Sequence, residues 1–229
     1  MHARRPLAPT GPRGRTTWSA RPRPRSDYAP PVQTPWTSTV TAALPAHLAD
    51  DARTVAGAMP GPRCTPGAPF AVDVLGETVA IPHRIHTSEP PAVVLPQLTA
   101  TQRTILHCLY SRHSDGLVRQ RHLEEVVAST EPWVVPFVLR LAGEYVLEIV
   151  SAIRTGLPDL AAAGSTHHDL YGEFIARNPG FFATTERRVV SYWACYHRWR
   201  YPEFAAYPGA LLLEALRRTA LSRQPRPAA

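Results

Sequence analysis

The chain has 229 residues, 44% of them apolar, and a formal net charge of +7 carried entirely by arginine. Residues 1–80 hold nine Arg against five acidic residues, residues 81–220 fourteen against thirteen, and the last nine residues add Arg223 and Arg226, so the charge excess sits in the two end segments. A near-neutral main body excludes the domain-wide basic field that steers nucleic-acid binders, and no run approaches the ~18 apolar residues of a membrane span.

The absence of Lys beside abundant Ala, Pro and Arg reads as a GC-rich coding bias, which weakens any step from "arginine-rich" to "phosphate-binding". Cys64, Cys108 and Cys195 stand at no metal or redox spacing, so reduced thiols in a cytoplasmic protein are expected. Cys108, among Ile105, Leu109 and Tyr110, reads as a buried, inert thiol. The N-terminal MHARRPLAPTGPRGR has no apolar core of a leader after Arg4-Arg5.

Residues 1–68 read as a disordered Pro/Arg-rich tail, with Met59 as an alternative start and residues 42–57 as a short helix at most. From 69 to 221 a helical domain is expected. Its first element is a hairpin in FAVDVLGETVAIP, residues 70–82, whose Gly76-Glu77 suits a type II′ turn. A helix capped by Thr99 or Thr101 runs to His113 and stops at Ser114-Asp115-Gly116. A second spans 118–128. The third, from near Pro136 to Thr155, is apolar over most of its circumference, as befits the central helix of a bundle. Arg140, Glu144, Glu148 and Ser151 mark its polar stripe. Further helices are expected over 165–177, from Thr184 or Thr185 to Arg200, and over 208–221, with residues 222–229 a second tail. The fold class is all-α: a bundle of five or six helices, or an irregular array of helical hairpins, with a short N-terminal β-hairpin.

No phosphate-binding Gly-rich loop, GxSxG, HExxH or CxxC occurs. The densest polar cluster is Arg112, His113 and Asp115 with Arg119 and Arg121, around the junction of the first two helices. Cations in a helix's first turns oppose the macrodipole by ~0.3–1 kcal/mol each, so acidic neighbours or an external anion should offset them. Glu144 and Glu148, one helical turn apart, can share a proton or a metal if a cleft exists, and otherwise form a solvent face. His83 and His86 form HxxH, and His167-His168-Asp169 invites comparison with helical metal phosphohydrolases of the HD type. No Asp follows Asp169 to complete that ligand set, so no metal and no cofactor is expected.

SYWACYHRWRYPEF places Tyr192, Tyr196 and Trp199 on one helix face with Arg198 and Arg200 among them. At helical spacing this is either core or an interface for another protein. The expected function is a non-catalytic protein-interaction or regulatory module with a protein partner. One alternative is an enzyme in which Arg112, His113, Asp115 and Arg119 meet Glu144 or Tyr192 in a pocket. A second is a helix-turn-helix-like DNA binder presenting Arg119, Gln120 and His122, disfavoured by the domain's small net charge.

Overall fold

The computed structural model describes residues 36–222; the outer parts of both expected tails lie outside the described residues. In chain order it forms α1 (Trp36–Ala42), α2 (Ala49–Ala58), β1 (Phe70–Val74), β2 (Glu77–Ile81), α3 (Ala100–Tyr110), α4 (Gly116–Glu124), α5 (Val135–Ala142), α6 (Leu147–Gly156), α7 (Thr166–Arg177), α8 (Pro179–Tyr192) and α9 (Pro208–Leu221). The described part is mostly helical with one two-stranded sheet, as the apolar periodicities predict.

The expected tail boundary at residue 68 is corrected. Upstream of it, α1 and α2 fold inward: Val40, Leu44, Ala52 and Val55 are buried, with α2 against α3 and α1 against β2. Met59 is itself core. Among the described prolines of this stretch, Pro45 directly precedes a 3-10 turn, Ala46–Leu48, which leads into α2, and Pro60 follows the end of α2. Such flanking positions are the ones proline tolerates.

β1 and β2 pair in antiparallel register, Phe70 with Ile81 through Val74 with Glu77. The connecting pair is Leu75-Gly76, both at positive φ (53° and 93°). That is type I′ geometry, one residue earlier than the expected II′ turn. Asp73 stabilises it by accepting from the Gly76 N–H at 3.0 Å. The buried Asn178 side chain docks this hairpin on the helices. It accepts from the Asp73 N–H and donates to the Asp73 carbonyl, both at 2.8 Å, and so replaces a missing strand partner.

Of the two caps expected for α3, Thr99 is the one used, and Gln102 closes a capping box with it. Asp115 caps α4 through the Leu117 N–H at 2.8 Å. Every residue of α5 is buried, so it is the central helix. The expected single helix over 136–155 is broken, however, at Gly143–Val146. Two carbonyls in the break find tertiary donors: Arg188 Nε on Gly143 at 3.0 Å and His197 Nε2 on Tyr145 at 2.7 Å. Backbone groups freed inside a fold need such partners. Gly143 lets Arg188 approach closely: a Cβ there would stand 3.3 Å from the Arg188 Cβ. The break turns Glu144 inward while Tyr145 faces solvent.

α8 starts at Pro179, earlier than the Thr184 or Thr185 start expected, because proline fits a first helical turn. It ends in a π-helical turn, Trp193–His197. Cys108 is buried, as its apolar neighbours implied, and burial pushes its thiol pKa well up. No helix among the described residues is long and apolar enough to cross a membrane.

Candidate arginine cluster and aromatic face

The segment after β2 runs beside the end of α3 through one parallel bridge. The Ile85 N–H donates to the Arg112 carbonyl at 2.9 Å and the Ser114 N–H to the Ile85 carbonyl at 3.0 Å. This brings His83 and Arg84 over the C-terminus of α3. Arg112, fully buried, donates to the His83 carbonyl at 2.7 Å and to the Pro82 carbonyl at 3.4 Å. Arg119 comes from α4, Arg140 from α5 and Arg188 from α8.

These side chains surround the single buried carboxylate of Glu144. Arg84 lies 2.5 Å from Oε1, Arg119 3.3 Å from Oε2 and Arg188 3.9 Å from Oε1. Arg112 and Arg140 are within electrostatic reach, and both stack over the Phe70 ring, with Cζ 5.8 and 5.0 Å from its centre. Burial alone would push the Glu144 pKa up. Arg84, Arg119 and Arg112 outweigh it and hold the carboxyl below its ordinary range.

Five guanidinium groups against one carboxylate leave a large positive excess in low-dielectric surroundings. Its mark is on Arg112, Arg140 and His83. Burial first, then Arg84, drives Arg112 well below the usual arginine range; burial, Arg188 and Arg84 push Arg140 down to about 10. Arginine stays protonated in proteins, so this strain is borne as lost stability. Burial, followed by Arg140 and Arg112, lowers His83 to about 4, leaving it neutral at pH 7. Its Nε2 then accepts from Arg140 Nη2 at 2.9 Å. Three guanidinium nitrogens, Arg112 Nη1, Arg119 Nε and Arg140 Nε, are buried without a partner. A buried N–H left unmade costs about 1–3 kcal/mol, more on a charged group. The wet rim is formed by Arg84 and Arg188, whose side chains are 21% and 19% exposed, and by half-buried His83.

Arg188 also joins this cluster to a ring face. Its Cζ lies 5.7 Å over Tyr192, which with Tyr145 and Tyr196 forms a triangle of rings 5.8–6.0 Å apart. Trp199, 82% exposed, donates to the Tyr196 carbonyl at 2.9 Å. Arg198 lies over Trp193 and Arg200 over Tyr201. Tyr196 and Trp199 are thus surface residues, which removes the core alternative for them; Tyr192 is half-buried.

The seven residues of the expected polar site are only partly gathered. Arg112, Arg119 and Glu144 meet. His113 turns away, donating from Nε2 to the Thr87 carbonyl at 2.9 Å, and Asp115 is spent on its cap. Arg121 is exposed and pairs with Glu89 at 2.6 Å. Glu148 does not share a face with Glu144. It lines an open groove of about 640 Å³ between α4 and α6, with Gln120 and Glu124. A shared proton or metal between Glu144 and Glu148 is therefore ruled out, and Glu144 is no part of a solvent face.

Arg119 and His122 are buried, so two of the three α4 side chains expected to read bases are not presented to solvent. His107, His122 and Glu89 instead form a relay, at 2.9 Å in each step. His167 contacts Asp159, and His168 contacts Ser222 and the Leu160 carbonyl. Among the described residues no group of three or more His, Cys, Asp or Glu side chains is arranged to hold a metal ion. The sequence singled out His83 only as half of an HxxH pair with His86, and carried no signal for Arg84 or Arg188. Arg140 did carry a signal, as a lone cation in a wholly apolar stretch.

No family model matches this chain, and neither does any curated protein or solved structure.

Proposed function

We propose that this protein is a non-catalytic interaction module that docks an acidic segment of a partner protein on the face of Tyr145, Tyr192, Tyr196 and Trp199. The observation that carries this is the exposure of that face: Trp199 at 82%, Tyr196 at 56% and Tyr145 at 48%. Rings held at fixed geometry supply large contact area at little entropic cost. Arg188, Arg198 and Arg200, each stacked on a ring, set the sign of the partner. The chemistry of the adjoining cluster also favours binding over catalysis. Glu144 is held ionised by its arginines and His83 is held neutral, so neither is poised for proton transfer near pH 7.

The test is binding of a fluorescent peptide that interleaves Asp and Glu with Leu and Phe, against the same peptide with Lys for the acids. The acidic peptide is expected to bind, to weaken as salt rises from 50 to about 200 mM, and to weaken at least tenfold in Tyr196→Ala/Trp199→Ala. Equal binding by that variant, or a preference for the Lys peptide, refutes the reading.

A further inference from the structure

We infer that the arginine cluster is a binding site for a phosphate-bearing small ligand, held by Arg84, Arg112, Arg140 and Arg188. The inference stands apart from the docking face, because it rests on buried charge and on unmade hydrogen bonds.

A structural ion-pair network balances its charges; this one does not. Five guanidiniums, from α4, α5, α8 and the segments after β2 and α3, face one carboxylate, and their combined repulsion opposes folding. Arg112 is fully buried with Nη1 unpartnered, and Arg140 is buried with Nε unpartnered. Both are held in place by the Phe70 ring beneath them, which orients a guanidinium without using its N–H groups. Arg112 spends Nε and Nη2 on the Pro82 and His83 carbonyls and Arg140 spends Nη2 on His83, so Arg112 Nη1 and Arg140 Nε are the preset donors left unspent. Arg84 and Arg188 reach solvent at the rim, where a ligand arrives.

The chemistry of the donors selects the ligand. Planar forks match tetrahedral oxyanions in a bidentate manner. Against an excess this large, a dianion compensates better than a single carboxylate. Neutral His83, held by Arg140, sits where a bound oxyanion would raise its proton affinity, so binding should bring partial proton uptake at mildly acid pH.

The experiment is thermal unfolding of the full chain with inorganic phosphate, pyrophosphate, glycerol phosphate, citrate and sodium chloride at matched ionic strength. Phosphate-type ligands are expected to raise Tm saturably, and which of the three acts at the lowest concentration tells free phosphate from an ester or a diphosphate. Arg84→Gln/Arg188→Gln should weaken that response at least tenfold, while Arg121→Gln, which pairs elsewhere, should keep it. Arg140→Met should raise the Tm of the anion-free protein, since it relieves repulsion, and blunt the response to phosphate. A structural network predicts the opposite sign for that variant. A rise equal to that with chloride, a larger response to citrate, or an Arg140→Met that lowers Tm with the phosphate response intact would each overturn the assignment. None of these results depends on Tyr196 or Trp199, so the site and the docking face fail or stand separately.

Discussion

Among the described residues Glu144 is the one carboxylate paired with the buried arginine cluster. Removing one partner of a buried charge pair typically costs about 3–5 kcal/mol. Glu144→Gln keeps the volume and removes the charge, and is expected to lose at least that much in urea unfolding. A loss below about 1 kcal/mol would mean that the guanidiniums are compensated by other means. The histidines set a second property at this scale. Burial is the largest cause that lowers both His83 and His107 to about 4, followed for His83 by Arg140 and for His107 by His122. Between about pH 6.5 and pH 4 the unfolded chain therefore binds protons that the folded chain refuses. Stability is full above that window and falls as pH drops through it. Urea midpoints at pH 7.5, 6 and 5 should decline in that order, and His107→Gln should make the decline shallower.

The β-hairpin turn and the break between α5 and α6 show what decides local structure here. Leu75 occupies a positive φ that L-residues other than Asn, Asp and Gly rarely adopt. It is exposed, so its side chain contributes little there. Leu75→Asn is expected to raise stability by roughly 0.5–1 kcal/mol, read as a higher Tm. The helical stretches themselves were legible in sequence through their apolar period and some of their caps: Thr99 and Ser165 accept N–H groups of the first turns of α3 and α7, while the Asp115 cap of α4 reads in sequence only as a break. The break at Gly143–Val146 was not legible. Its continuous apolar pattern reads as one helix, and only the donors brought by Arg188 and His197 from distant sequence let the backbone depart from it.

At the scale of the molecule, α1 and α2 are part of the core. Val40, Leu44, Leu48, Val55 and Met59 are all buried, and each such side chain contributes about 1.5–3 kcal/mol on burial. Their sum is comparable to the 5–15 kcal/mol total stability of an ordinary domain. A chain of residues 60–222 is expected to lose cooperative unfolding and near-ultraviolet circular dichroism and to bind hydrophobic dyes. A sharp, reversible transition in that fragment would show that the remaining helices suffice.

What sequence determined by itself was local: the helical class, the hairpin, most caps, the buried thiol of Cys108 and the aromatic run from Tyr192 to Trp199. Periodicity and capping act over a few residues, so they can be read from the chain. The candidate site could not be read this way. Arg84, Arg112, Arg119, Arg140 and Arg188 span about a hundred positions; Arg112 and Arg119 are legible as a polar cluster and Arg140 with Glu144 as a polar stripe, but nothing in the chain joins the two or adds Arg84 and Arg188. Their meeting depends on the bridge at Ile85, the break at Gly143 and the packing of α8 against α5. Electrostatic coupling depends on distance in space, and tertiary structure alone sets those distances.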